Sequence, residues 1–477
     1  MVGYAILALV VLFLAVLLIR AATFKPKAQP VLLEETVEVD LDTAVSNLQQ
    51  LIRCKTISYN DHSLEDKEEF RKLKDLLPKL YPNVFSVCEY TEIPEEAVLF
   101  RWPGKIAGDP AVMMAHYDVV PVDEEKWEKP PFSGILEDGV LWGRGTMDTK
   151  ITMASALYAA NQLIGQGFMP EHDVYFAFSG GEEVNGLGAV RIVDYFEEKG
   201  ITPSMVVDEG GAVVQDIFPG VKEDCAMIGI AEKGLINAKY TVKSGGGHAS
   251  APPPKTPVTT LAKACRSVVE NPFKMHITTP AALMFDTLAR HSSFAFKLIF
   301  SNLWCFKPVL DLICKSSGGE MNALVRTTTA FTMMEGSNAR NVIPTEASIV
   351  SNMRLNPNDS VAGAVEYLRK CVNDDSVDIS VLESFEPSRI STTDCEGWQK
   401  VASAVASTWR GCVVTPYLMV QCSDCRHYGR ISDKVYRFSA MDLTKEERAT
   451  IHGNNERIRV ETIRRAAEFY IRLLRQC

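Results

Sequence analysis

The chain opens on an apolar run unlike anything after it. Residues Val2–Ile19 carry no charge, and Ala5–Ile19 are apolar without interruption. About 18 such residues sit at the border between a signal-peptide core and a membrane span. No basic segment precedes the run and no A-x-A cleavage site closes it. Arg20, Lys25 and Lys27 follow, charges that by the positive-inside rule favour a cytosolic C-terminal side. Residues 1–22 therefore read as a signal peptide or a membrane anchor, and residues 23–39 as a polar, Pro-containing tether.

From Asp40 the period changes. Ala44, Leu48, Leu51 and Ile52 share one face of a predicted helix. Short apolar runs then alternate with helical patterns. Strands are expected at Val98–Trp102, Ala111–Ala115, Val174–Phe178 and Met205–Val207, and helices at Lys150–Ile164 and Ala189–Glu198. Buried strands alternating with helices predict an α/β/α layer. Near Leu235 a second pattern begins. Strands are expected at Asn237–Val242, Arg326–Met333 and Ala347–Arg354, and helices at Pro257–Val269 and Val361–Cys371. That order suits a small α+β sheet with helices on one side. The first pattern resumes with helices near Trp398–Thr408 and from Val460. The expected organisation is a catalytic domain in two parts, 40–234 and 386–477, with 235–385 inserted into it.

Composition narrows the class. At 477 residues the chain is too long for one hydrophobic core. With 46% hydrophobic and 23% charged residues it is globular. A net charge of −10 argues against nucleic acid as a partner. The basic cluster Arg457, Arg459, Arg464, Arg465 reads as the solvated side of a last helix. Twelve cysteines are scattered rather than densely spaced, and Cys422-x-x-Cys425 has no second pair to make a zinc ribbon. A short-range disulfide and two free thiols are both open there. The sequon Asn358-Asp359-Ser360 is compatible with the secretory pathway.

Chemistry-bearing residues gather where predicted strands end, the usual ligand side of an open α/β sheet. His116 and Asp118 stand two apart in MMAHYD, where a carboxylate behind a histidine fixes its tautomer. Asp148 follows the glycines of WGRGTMD and precedes a helix, a place that an ordinary N-cap also takes. Glu182 and Glu183 are adjacent, which is costly unless a cation or proton takes up charge. One of such a pair can bind metal while the other takes a proton from water. VVDEGG carries Asp208, and IHGNNE carries His452. Two histidines with Asp148, Glu183 and Asp208 make mixed nitrogen and oxygen sites suited to Zn²⁺.

The segments MMAHYDVVP, WGRGTMDTK, SGGEEVNGLGA, VVDEGG, SGGGHASAPP, NARNVIP and IHGNNERI span nearly the whole chain after the tether. Their order and wording resemble the aminoacylase/carboxypeptidase family of two-zinc metallopeptidases, which includes acetylornithine and succinyl-diaminopimelate deacylases. The resemblance implies a di-zinc exopeptidase-like α/β/α catalytic domain with an inserted, ferredoxin-like lid, and two Zn²⁺ per chain. It implies that Asp148 bridges the metals, that His116 and Asp208 complete one site, and that Glu183 and His452 complete the other. Asp118 would support His116, Glu182 would be the general base, and His248 of the lid would stabilise the oxyanion on closure. Arg340, Asn341 and Arg426 become candidates for holding a substrate carboxylate. The Asp148–Thr149 peptide bond is expected to be cis. Thr149 and Gly181 depart from the family's usual acids, and Cys422-Ser423 replaces a pair that contacts substrate.

Within the family, PPFSG, GRGTMD, EKG, RTTTA and NLW are most similar to the secreted branch that forms and hydrolyses N-fatty-acyl amino acids. The resemblance therefore implies a zinc-dependent amidohydrolase taking a small N-acyl amino acid. Asn271–Leu324 is unusually apolar. It reads as extra packing helices or a dimer face in the lid, as an acyl channel lined by Phe296 and Phe300, or as a membrane-resting surface. The alternatives are a dipeptidase, carboxypeptidase or short-chain aminoacylase, and a membrane-tethered binding protein without activity. Retention of all five ligands with Glu182 argues against the last.

Overall fold

A computed structural model describes residues 1–477. Leu41–Ile52 starts the globular part as a helix whose N-cap, Asp40, accepts a hydrogen bond from the Thr43 amide at 3.2 Å. Its buried face carries Ala44, Val45, Leu48, Leu51 and Ile52.

The main sheet has eight strands in the order Glu89–Ile93, Ala97–Trp102, Val174–Ser179, Ala111–His116, Met205–Val214, Val435–Leu443, Cys225–Glu232, Val413–Met419. The four strands at its centre, from Val174–Ser179 to Val435–Leu443, lie mutually parallel. Their alternating side chains feed two cores. Met113 and Ala115 join the layer with helices Leu41–Ile52, Lys150–Gly165, Glu396–Thr408 and Val460–Leu474. Val112 and Met114 face helix Gly188–Lys199 on the other side. Helix Lys150–Gly165 is buried along nearly its whole length, as a helix apolar all round must be. Because the central strands are parallel, His116 and Ser179 end side by side and the loops after them share one edge.

The lid is a four-stranded antiparallel sheet in the order Thr328–Glu335, Glu346–Leu355, Gly234–Lys243, Asp378–Phe385. Helices Pro257–Glu270 and Val361–Val372 cover it and close a separate core around Tyr240, Met353 and Leu368.

The long apolar stretch does not pack in that lid. Helices Thr279–His291, Phe294–Phe300, Leu303–Ser317 and Gly319–Val325 join the main core through Phe285, Leu288, Leu310 and Leu324. Helix Thr279–His291 lies along Val413–Met419, the last strand of the sheet, and covers an edge that would otherwise be open. The inserted segment 235–385 is thus interrupted by a helical block that belongs to the catalytic body. Phe285 is fully buried against Phe218 and Phe300. Phe285→Ala is expected to cost about 3–5 kcal/mol, read from the midpoint of chemical denaturation.

Val2–Thr23 is one continuous helix, buried only at Leu17 and Ala21. It is long and apolar enough to cross a membrane. The tether after it is extended but not free. Gln29 accepts from the Val414 amide at 3.0 Å, the Leu33 amide donates to Ser407 at 2.8 Å, and Glu35 pairs with Arg475 at 2.8 Å.

Candidate active site

The strand ends converge on a cavity of about 650 Å³. Asp148 stands at its inner end with each carboxylate oxygen facing a different histidine. Oδ1 lies 3.1 Å from His116 Nε2, and Oδ2 lies 2.8 Å from His452 Nε2. Glu183 Oε2 is 3.0 Å from His452 Nε2. His452 adopts φ +57°, and this left-handed turn points a loop residue back at a distant strand end. The Asp148–Thr149 peptide bond is cis, as the resemblance implied.

Asp118 is wholly buried and does more than orient a histidine. It lies 3.4 Å from His116 Nδ1 and accepts from Ser58 Oγ at 2.7 Å. It also accepts from the Glu182 and Glu183 amides at 3.1 and 3.2 Å, so it positions both glutamates. Glu456 plays a similar part for the Asp148 loop. It is fully buried and accepts from Arg144 at 2.6 Å and from the Gly145 and Met147 amides at 3.0 and 2.7 Å.

Asp208 is not where the sequence reading put it. Its Oδ2 accepts from the Cys425 amide at 3.0 Å, and its carboxylate joins neither of the clusters able to hold a cation. Glu209 takes that place, with Oε1 3.4 Å from His116 Nε2, in a cluster with Glu182. The cause is a bulge. Arg437 pairs with Asp208, but the next residue, Phe438, pairs with Gly211, so Glu209 and Gly210 are looped out and Glu209 turns to the cavity. Gly210, at φ +138°, makes the bulge possible, since a Cβ there would meet Met419 Sδ at 2.5 Å.

His248, Arg340 and Asn341 stand apart from this centre, on the lid whose closure the expected role of His248 requires. All three are exposed and lie together at the tip of the lid, outside the cavity. His248 pairs across a two-residue ladder with Val342, the Ala249 amide donates to Asn341 O at 2.9 Å, and His248 Nδ1 meets Ser250 Oγ at 2.8 Å. The Ser244–Gly247 loop and the Ser337–Asn341 turn extend beyond the lid's covered sheet, which leaves little to bury them. Arg426 does not line the cavity but lies near enough for its charge to act on Glu182. Its guanidinium lies over Phe385 at 4.7 Å, donates to Ser423 O at 2.8 Å and to Asn185 at 3.2 Å, and keeps a buried Nε without a partner. Arg354, which sequence reasoning missed, extends from the lid to Cys422 Sγ at 2.9 Å on the cavity wall. The cysteines, Cys422 and Cys425 included, are free thiols.

Electrostatics mark this cavity as a cation site. Burial pushes Glu182 well above the usual carboxylate range; the His116 charge opposes that, while Glu209, Asp424 and Glu183 add to it. Burial likewise carries Glu209 to about 8 and, with Asp424, Asp208 to about 6. Asp148 goes the other way despite its burial, held down by hydrogen bonds from His116 and His452. Asp148 and Glu183 raise His452 to about 10. Carboxylates so close together resist ionising at once unless positive charge stands among them. Glu183 Oε1 is buried with no hydrogen-bond partner, an unmet acceptor in the same cluster. The donor set fits divalent cations.

Apart from a few polar residues such as Glu320, Lys445 and Arg448, the rest of the cavity has an apolar lining. Met227, Met284, Met321, Met419 and Met441 line it with Val214, Ile217, Leu288, Leu324 and Leu443. Phe296 and Phe300 do not line it; they pack on Phe218 beneath the surface.

Fold and site together define a metal-dependent hydrolase of the metallopeptidase class. Residues 112–476 match peptidase family M20/M25/M40, and the chain belongs to that family. It is 34% identical over 475 residues to N-fatty-acyl-amino acid synthase/hydrolase PM20D1 of Xenopus tropicalis, covering 97% of this chain and 92% of that protein. It is 32% identical over 476 residues to probable carboxypeptidase S-like 2 of Dictyostelium discoideum, covering 97% and 91%. In fold it is similar to an M20 family metallo-carboxypeptidase of Sulfolobus solfataricus, with TM-score 0.66 at 18% identity over 91% of this chain and 98% of that one.

Proposed function

We propose that this protein hydrolyses the amide bond of N-acyl amino acids, N-fatty-acyl amino acids above all, and forms that bond when amine and fatty acid are in excess. One observation carries the substrate class: the cavity that holds Asp148, Glu182, Glu183, Glu209 and His452 is otherwise lined mostly by methionine and aliphatic side chains. Methionine walls adapt to chains of different length and shape. The similarity to the Xenopus tropicalis synthase/hydrolase supports the same reading.

Asp148, His116, Glu209, Glu183 and His452 would together hold two Zn²⁺. When bound, the ions would polarise the acyl carbonyl and acidify a water. Glu182 takes a proton from that water as its oxygen bonds to the acyl carbon, and delivers it to the amine nitrogen as the C–N bond breaks. Arg426 and Arg354 would hold a substrate carboxylate, with Lys445 and Arg448 on the cavity lining as further cations. Lid closure would bring His248 to the developing oxyanion, with Arg340 and Asn341 beside it. Self-association would use the exposed lid strand Thr328–Glu335, where Met333 and Met334 face water. The N-terminal helix would bring the chain to the secretory membrane, as signal or anchor.

A chain-length series tests the substrate. Catalytic efficiency should rise from N-acetyl to N-oleoyl amino acids, since each buried CH₂ contributes up to about 0.8 kcal/mol. Met321→Asp, at a half-buried position on the cavity wall, should raise KM about tenfold or more for the oleoyl substrate and little for the acetyl one. Preference for dipeptides over every acyl amino acid would instead favour a carboxypeptidase.

A further inference from the structure

We infer that the helical hairpin Phe294–Phe300 and Leu303–Ser317 is a second membrane-contacting surface, seated in the bilayer beside the N-terminal helix and setting the orientation of the catalytic body. This rests on reading Val2–Thr23 as a retained anchor and not on the identity of the substrate.

Helix Leu303–Ser317 is apolar on two opposite sides. Leu310 and Cys314 are buried against the body. On the outer side Trp304, Val309, Leu312 and Ile313 are exposed, Trp304 to 61% and Leu312 to 68%. Steps of four and eight residues place Trp304 with Leu312, and Val309 with Ile313, in one stripe. Phe294 extends it onto the neighbouring helix. A helix facing water carries polar residues there, and an apolar stripe of this extent marks a contact.

What covers the stripe follows from what it adjoins. Trp304 meets Phe13 of the N-terminal helix edge-on at 5.8 Å. Arg20 donates from Nε and Nη2 to Ser301 O at 3.0 and 2.7 Å, and Asn302 donates to Leu17 O at 3.2 Å. From Arg20 back to Phe13 is about 10 Å of helix rise. Trp304 therefore lies about that far inside the level of Arg20, the depth that interfacial helices reach. The stripe is continuous with a 22-residue apolar helix that is exposed along nearly its whole length. A bilayer satisfies both surfaces at once.

Basic residues collect at the level where the helix leaves the membrane. Lys27 pairs with Asp286 at 2.8 Å, and Arg290 lies over Phe24 at 4.0 Å while donating to Lys25 O at 2.8 Å. Such residues suit lipid headgroups. The contacts of Gln29, Leu33 and Glu35 tie the tether to the catalytic body. Helix Thr279–His291 links the two functions of the block. Met284 and Leu288 face the cavity, while Phe285 packs on Phe300 under the hairpin. The apolar wall of the cavity thus stands one helix away from the membrane face, where a lipophilic substrate is concentrated.

Full-length protein in phosphatidylcholine vesicles, with and without brominated acyl chains, tests the inference through tryptophan emission. Brominated lipid should quench part of the emission, and Trp304→Phe should remove most of that quenched part. Unchanged quenching in Trp304→Phe overturns the proposal. Leu312→Glu with Ile313→Glu, both at exposed positions, should raise KM about tenfold for a vesicle-dissolved oleoyl substrate and leave acetyl-substrate turnover unchanged. If that pair instead halves the particle mass in detergent, a second copy covers the stripe and the bilayer does not. Alkaline carbonate extraction and N-terminal sequencing test the anchor separately; a mature chain beginning after Thr23 removes the basis of the inference.

Discussion

Glu182→Gln is expected to lower kcat about 10²–10⁴-fold, the contribution of a positioned general base, while metal content and thermal stability stay unchanged. The amide keeps the shape of the carboxylate and removes its proton affinity. Nothing in the structure makes Glu182 a structural element: its carboxylate forms no hydrogen bond, and its place is set by its own amide bonded to Asp118. Turnover with the acetyl substrate and metal analysis on the same preparation decide the point. Loss of metal together with activity would show that Glu182 is a ligand and that the two glutamates have exchanged roles.

The second large effect separates two neighbours. Glu209→Ala is expected to remove one metal equivalent per chain and to lower activity by more than about 100-fold, beyond the 10–100-fold typical of outer-sphere partners. Asp208→Asn should retain both metals and fall within that smaller range, because Asp208 acts through the Cys425 amide rather than at the cluster. Titration of the apo-protein with Zn²⁺, read by calorimetry, gives the stoichiometry directly. The reverse result, with metal lost from Asp208→Asn and kept in Glu209→Ala, would restore the ligand set first expected from the motif.

These two residues show where reading a sequence reaches its limit. DEGG announces acid at a strand end, and either carboxylate can bind metal. Strand alternation turns neighbours to opposite sides, but which side faces the cavity depends on the bulge at Glu209 and Gly210. That bulge exists only against the partner strand Val435–Leu443, which joins the sheet more than 200 residues later. Arg354 was hidden for the same reason: a lid strand alone does not reveal that its tip meets Cys422.

The lid residues and the apolar block show it on a larger scale. SGGGHAS and NARNVIP are legible as loops and come together at the lid tip. Their separation from the acid and histidine cluster is a matter of how two domains sit, which no local pattern encodes. The richness of Asn271–Leu324 in large apolar side chains demanded burial or contact. It did not say against what, because the hydrophobic effect has no direction. The open edge at Val413–Met419 decided it, drawing these helices onto the catalytic body and away from the lid.

By itself the sequence determined the period-coded features: the apolar N-terminal helix, the strands Ala97–Trp102, Ala111–His116 and Val174–Ser179, the amphipathic helices of both domains, and the order of the acid and histidine segments. Those depend on neighbours along the chain, and 3.6-residue and 2-residue periods record them there. Only the tertiary structure decided which carboxylate of DEGG faces His116, that Arg426 comes near Glu182, and that Phe296 and Phe300 pack on Phe218 rather than line the cavity. Each of those depends on contacts between segments far apart in sequence, which become specific only when packing selects one surface for each side chain.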